Sequence, residues 1–76
     1  MTRLRDTMLK EARRSAGLPQ RTVAEMAGIT LRGYQLIEAG AREPAVGTAM
    51  RIAAAIGRRV DELFSGWLIK EVEKNL

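Results

Sequence analysis

Apolar residues recur at intervals of three and four along the chain, which is the spacing of amphipathic helices. The first run predicts a helix over about residues 5–16, which Gly17 ends in the left-handed conformation. A short second helix begins behind Pro19 and closes at Gly28, and a third follows Thr30, whose hydroxyl suits an N-cap, and stops at Gly40. The apolar positions of these three runs are Leu4, Met8, Leu9, Ala12, Ala16, Val23, Ala24, Ala27, Tyr34 and Ile37.

The second half of the chain continues the same pattern after a loop over residues 40–44. A fourth and more apolar helix is predicted to end at Gly57, with its stripe formed by Val46, Ala49, Met50, Ile52, Ala53 and Ile56. Val60, Leu63 and Phe64 predict one or two further turns, and the spacing of Leu68, Val72 and Leu76 indicates a short sixth element. Since no strand-like alternation interrupts these runs, the predicted fold class is all-α.

Composition narrows the chemistry that such a chain can perform. Without Cys or His, it lacks thiolate ligands, the commonest metal ligand and the commonest general base. Ser15 and Ser65 therefore have no His partner, and the adjacent Asp61 and Glu62 diverge on one helical turn. We expect no enzyme activity, no metal site and no cofactor.

Length and charge indicate the kind of partner. Seventy-six residues make one small domain, and no apolar stretch approaches the roughly 20 residues of a membrane span, so we expect an intracellular, cytoplasmic protein. The net charge of +4 fits a polyanionic partner. Of the eleven cationic residues before Lys70, ten are Arg, the side chain that binds phosphate or a guanine edge through two parallel hydrogen bonds.

The most informative stretch is QRTVAEMAGITLRGYQLIEAG, residues 20–40, in which two short helices are joined by a turn at Gly28. The small side chain of Ala24 allows the helices to cross closely, and Ile29 is the apolar plug between them. With Tyr34 and Ile37 directed to the core, the opposite face of the third helix carries Leu31, Arg32, Gln35 and Leu36.

From Leu9 to Phe64 the chain resembles the helix-turn-helix domains of phage repressors and Cro proteins, the XRE-like transcriptional regulators. Six pieces match in order and spacing: LKEARRSAGLPQ, VAEMAGIT, LIEAG, AREP, RIAAAIG and VDELF. The resemblance implies a five-helix, lambda-repressor-like DNA-binding domain over residues 1–65. It also implies a sequence-specific regulator of double-stranded DNA, a repressor, whose third helix, about residues 30–38, reads the major groove. Arg13 and Glu38 would form an internal ion pair between the first and third helices.

The resemblance also implies individual DNA contacts. The phosphate-binding positions are Gln20, Arg21, Thr30, Arg42 and Gly47, although Gly47 is equally explained as a tolerated glycine. The base-reading positions are Leu31, Arg32, Gln35 and Leu36, with Arg32 suited to a guanine edge and Gln35 to adenine. Leu31 and Leu36 stand where the family usually has polar side chains that contact bases. We therefore expect them either to contact thymine methyl groups or to pack against another surface. Gly33 lies inside this helix, where glycine is unfavourable.

Residues 66–76 extend past the match as a predicted dimerisation segment. Its apolar side consists of Trp67, Leu68, Val72 and Leu76, and a helix this short needs a surface to dock on. We predict a homodimer anchored by Trp67, and the alternative is docking on the segment's own domain against Leu4 and Met8. Two other functions remain open: a protein-interaction module of the same fold that does not bind DNA, and the antitoxin of a toxin-antitoxin pair.

Overall fold

The computed structural model describes the backbone of residues 4–64 and the side chains of residues 8–64. Its helices are α1 (Leu4–Ser15), α2 (Gln20–Ala27), α3 (Leu31–Glu38) and α4 (Val46–Ile56), and α5 begins at residue 60 and continues to residue 64. No strand is found within the described range. The predicted all-α, five-helix fold is confirmed, and the predicted start and end of the first helix are each within one residue of the observed bounds.

Glycines end the first four helices, as the sequence predicts. Gly17, Gly28, Gly40 and Gly57 all have positive φ. The turn between α2 and α3 needs this conformation most, because Gly28 at φ 70° allows Ile29 to donate its N–H to the Ala24 carbonyl at 3.0 Å. That bond, with the one from Gly28 to Glu25 at 3.1 Å, satisfies carbonyls that the end of α2 leaves without helical partners.

All five helices contribute to one apolar core. Each helix supplies one of the five largest fully buried side chains. The buried apolar residues of the described chain are Leu9, Ala12, Val23, Ala24, Ala27, Tyr34, Ile37, Ala49, Ile52, Ala53, Ile56, Leu63 and Phe64. Ile29 packs against this core from the turn, in the position predicted for the apolar plug. Because α2 contacts both α3 and α4, while α1 contacts α3, the core supports one face of α3. Among the described residues, no helix packs over the opposite face.

The apolar stripe of α4 is narrower than predicted. Val46 and Met50 are 50% and 58% exposed, whereas Ala49, Ile52, Ala53 and Ile56 are buried. Met50 follows Ala49 by one residue, which places it about 100° further round the helix and outside the buried face. Ala16, predicted as the last position of the first stripe, follows the end of α1 and is exposed.

Arg51 connects α4 to the end of α2. Its Nε donates to the carbonyl oxygen of Ala27 at 2.9 Å, across 24 residues of sequence, and one terminal nitrogen lies 3.3 Å from the Thr48 hydroxyl. Ala27 is the last residue of α2, so this bond satisfies another carbonyl at the helix terminus. The orientation of the helix-turn-helix unit on α4 therefore depends on a polar contact as well as on apolar packing.

Candidate nucleic-acid interface

The α3 helix has two faces with different environments. Gly33, Tyr34, Ile37 and Glu38 are buried. Arg32 is exposed, and Leu31, Gln35 and Leu36 are half-buried. The structure therefore brings the four predicted base-reading residues to one outward face of α3.

The N-terminus of α3 is capped by Thr30. Its hydroxyl accepts a hydrogen bond from the backbone N–H of Gly33 at 2.9 Å, which satisfies one of the amides that begin a helix without a partner. A Cβ at Gly33 would lie 3.0 Å from the Thr30 hydroxyl, which is a tight contact, and 3.6 Å from Nη1 of Arg42, which is an ordinary van der Waals distance. Glycine at this position in α3 thus leaves space for the capping hydroxyl of Thr30.

Arg13 and Glu38 form a bidentate ion pair between α1 and α3. Nε and Nη2 of Arg13 donate to the two carboxylate oxygens of Glu38 at 2.8 and 2.9 Å, and Nη1 donates to the Leu18 carbonyl at 2.9 Å. Only 10% of the Arg13 side chain and 5% of the Glu38 side chain are exposed. The pair implied by the family resemblance is present, and it fixes α3 to α1 across 25 residues of sequence.

The surroundings of the pair shift the pKa values of its members. Burial is the largest single effect and raises the pKa of the Glu38 carboxyl, but the hydrogen bonds and charge of Arg13, together with the polar groups of Tyr34 and Gln20, outweigh it jointly, so the net pKa lies below its usual value. The hydrogen bonds to Glu38 raise the pKa of the Arg13 guanidinium. The buried hydroxyl of Tyr34 has no well-formed hydrogen bond within the described chain, and burial together with the nearby Glu38 carboxylate raises its pKa far above the usual range. Glu38 and Arg13 therefore stay ionised at neutral pH.

Gln20 extends this ion pair to the outward face of α3. Its Nε2 donates to Oε1 of Glu38 at 3.2 Å, and its Oε1 accepts from Nε2 of Gln35 at 3.3 Å. This connection is not apparent from the sequence, because residues 20, 35 and 38 belong to two helices and neither spacing nor composition links them. The amide of Gln20 makes protein contacts, and its phosphate contact stays a prediction.

The other predicted phosphate-binding residues lie around the start of α2 and the loop before α4. Arg21 is exposed on the first turn of α2. Thr30 and Arg42 line one cleft of about 350 Å³ between the turn, α3 and the loop, which Glu43 and Thr48 also line. Gly47 is exposed on the first turn of α4, where a Cβ would lie 3.3 Å from Nη1 of Arg51. The structure thus brings Thr30 and Arg42 together and places Arg21 and Gly47 on other helices.

Trp67, Leu68, Val72 and Leu76, predicted as a dimer interface, lie outside the described residues. Among residues 4–64, no helix has the length and apolar character to cross a bilayer. In that same part of the chain, no group of three or more acidic side chains is arranged to hold a metal ion.

Comparison with known proteins identifies the family. The family model described as Helix-turn-helix matches residues 9–63. An uncharacterized HTH-type transcriptional regulator from Methanothermobacter thermautotrophicus is 36% identical over 59 residues, which cover 76% of this chain and 86% of the relative. No solved structure gives a significant match. The matched residues include α2, the turn at Gly28, α3 and α4, together with most of α1 and α5. The chain therefore belongs to the XRE-type helix-turn-helix family.

Proposed function

We propose that this chain is a sequence-specific regulator of transcription that binds double-stranded DNA, acts as a repressor in the cytoplasm, and reads the major groove with α3. The observation that carries the proposal is the division of α3, in which Tyr34 and Glu38 are buried while Arg32 is exposed beside the half-buried Gln35. Membership of the helix-turn-helix family and a net charge of +4 support it, as does the similarity to the HTH-type transcriptional regulator from Methanothermobacter.

The proposed roles follow the chemistry of each outward side chain. Arg32 donates to a guanine edge, and Gln35 binds adenine. Leu31 and Leu36 contact thymine methyl groups, an apolar interaction that suits their half-buried positions. The proposed phosphate contacts, which position the protein without reading sequence, are made by Gln20, Arg21, Thr30, Arg42 and Gly47.

Selection of bound sequences from a random duplex library tests the proposal directly. We expect one enriched motif, and we expect Arg32→Ala to reduce the preference at one base pair by about 1–3 kcal/mol. Arg42→Ala is the matched control, because loss of a phosphate contact weakens binding to all sequences alike and lowers the salt slope by about one. Enrichment of no sequence by the intact protein would contradict the proposal, and equal effects of both variants on specific and random DNA would remove the role of Arg32.

We also propose that residues 1–65 bind DNA and that residues 66–76 join two copies as a homodimer, with Trp67, Leu68, Val72 and Leu76 in the interface. A two-fold dimer would read two half-sites about 34 Å apart, which gives more contact than one small domain provides. In sedimentation measurements we expect the full chain to dimerise and Trp67→Ala to be monomeric, with Lys70→Ala as a control that still dimerises. A full chain that stays monomeric at high micromolar concentration would contradict the dimer.

A second candidate is a protein-interaction module that retains the fold without binding DNA. It is favoured by the large apolar side chains at the surface: Met26, Val46 and Met50 are 55%, 50% and 58% exposed. Binding to random duplex at several salt concentrations separates the two candidates. Each phosphate contact contributes about −0.9 to the slope of log affinity against log salt, whereas a module that binds only protein shows no such binding.

A further inference from the structure

Four polar side chains form a continuous line from the buried ion pair to the outward face of α3. Arg13 donates twice to Glu38, Gln20 donates to Glu38 at 3.2 Å, and Gln35 donates to Gln20 at 3.3 Å. The first two residues are buried, and Gln20 and Gln35 are half-buried. The line therefore begins in the core and ends at a residue that we place opposite the bases of DNA.

The chemistry of Glu38 determines the direction of each hydrogen bond in this line. An ionised carboxylate has no proton to donate, so any neutral amide beside it must present its NH₂ group. The pKa of Glu38 is lowered, with its largest favourable contribution from the Arg13 hydrogen bonds, so the carboxylate is ionised at neutral pH. The Nε2 of Gln20 must therefore face Glu38, which leaves its Oε1 on the side of Gln35.

The same reasoning then determines the orientation of Gln35. The Oε1 of Gln20 is an acceptor, so Gln35 must direct an N–H toward it. The structure shows this arrangement, with Nε2 of Gln35 3.3 Å from Oε1 of Gln20. The reverse orientation would place two carbonyl oxygens against each other in a half-buried contact, which is unfavourable. With Nε2 committed to Gln20, the carbonyl Oε1 of Gln35 is left available as an acceptor.

We propose that the Arg13–Glu38 pair sets the hydrogen-bonding direction of Gln35 through Gln20, so that Gln35 presents an acceptor to the major groove. An acceptor favours a base with an exocyclic amino group, which is N6 of adenine or N4 of cytosine, over the O6 of guanine or the O4 of thymine. Adenine is the best match, because its N7 accepts the second N–H of Gln35. Gln20 is then a positioning residue, and this inference rests on the proposed DNA-binding function.

The test compares base preferences of the full chain and of three variants in a random-library selection. Gln35→Met identifies the base pair that Gln35 reads. Gln20→Met keeps the length of the side chain but removes both hydrogen bonds that the Gln20 amide makes. The Gln35 amide can then rotate by half a turn about its terminal C–C bond. We expect Gln20→Met to reduce the preference for an amino-bearing base at that one pair by at least about fivefold, with the other positions unchanged. Arg21→Met is the matched control on the same turn of α2.

Two results would overturn the inference. One is uniform weakening of all sequences by Gln20→Met, as for Arg21→Met, which would make Gln20 a phosphate contact alone. The other is an unchanged preference at the pair identified by Gln35→Met.

A measurement without DNA separates this inference from the proposed function. The side-chain NH₂ resonances of Gln35 in the free protein should shift in Gln20→Met and stay unchanged in Arg21→Met, which a general loss of structure would not produce. Unchanged resonances in Gln20→Met would overturn the inference even where DNA binding is intact. A wild-type chain that enriches no sequence but shows the expected shifts would overturn the DNA-binding function and with it the proposed base preference.

Discussion

Replacing Glu38 by alanine leaves the Arg13 guanidinium buried without its carboxylate partner. The pair is 10% and 5% exposed and joined by two hydrogen bonds of 2.8 and 2.9 Å, so it belongs with buried pairs and not with surface pairs. Removing one member of a buried pair commonly costs about 3–5 kcal/mol, because the remaining charge is desolvated without compensation. The Leu18 carbonyl still accepts from Nη1 of Arg13, so we expect a loss near the lower limit, about 3 kcal/mol.

Urea denaturation of the two proteins measures this loss of unfolding free energy. The matched control is Asp61→Ala, which removes the 2.8 Å ion pair between Asp61 and Arg59 at a site where the two side chains are 52% and 78% exposed. An exposed pair contributes at most about 1 kcal/mol, since water screens it and holding two mobile side chains costs entropy. The two variants remove pairs of similar distance, so the difference between them isolates the effect of burial.

The pH dependence gives a second measure of the same interaction. The folded-state pKa of Glu38 lies below its value in the unfolded chain, so the carboxylate stabilises the fold fully above the unfolded pKa. That contribution is lost as the pH falls through the folded pKa. The stability difference between wild type and Glu38→Ala should therefore be largest near neutral pH and shrink in acid below about pH 4. A loss at neutral pH of less than 1 kcal/mol, or one equal to that of Asp61→Ala, would refute the reasoning.

Three other features of the fold can be tested by substitution with the same denaturation measurement. Thr30→Ala should cost about 0.5–2 kcal/mol because it removes the cap of α3, whereas Thr30→Ser should retain most of the stability, and equal losses would contradict the capping role. Gly57→Ala should destabilise the fold by about 1–2 kcal/mol, since φ at this residue is +80°. The control Gly47→Ala lies inside a helix with only the end of the Arg51 side chain near the new Cβ, so it should be neutral or stabilising. A larger loss from Gly47→Ala than from Gly57→Ala would contradict the role of Gly57 in ending α4. Arg51→Met should cost about 1 kcal/mol by leaving the Ala27 carbonyl without its donor, and an unchanged midpoint would show that water replaces it.

Most of the helix boundaries follow from the sequence because local chemistry determines them. A glycine after an apolar run ends a helix because it adopts positive φ itself, and the Thr30 hydroxyl caps α3 through a hydrogen bond from the backbone N–H three residues further along. Such interactions lie within a few residues, so their spacing is visible in the sequence. The outward face of α3 follows in the same way from the positions of Tyr34 and Ile37.

Interactions between residues that are far apart in the sequence can be predicted from it only in part. The Arg13–Glu38 pair spans 25 residues and was expected only because the chain resembles a known family. The bonds from Gln20 to Glu38 and Gln35 had no such guide, since they depend on how closely α2 and α3 approach. The exposure of Met50 was missed because an apolar side chain at the edge of a stripe has the same spacing whether or not another helix covers it.

If Gln35 reads a base as we propose, its hydrogen bond to Gln20 limits which DNA sequences the protein could come to recognise by single mutations. A residue at position 35 must offer a proton toward Oε1 of Gln20, which Asn, Ser or Arg can do and a carboxylate cannot. Exchange to Glu, the side chain that would accept from cytosine, would place an acceptor against an acceptor unless position 20 changed as well. New specificity at the base pair that we assign to Gln35 is therefore expected to require paired substitutions in α2 and α3. At the exposed Arg32, whose side chain makes no hydrogen bond within the described residues, we expect one substitution to be enough.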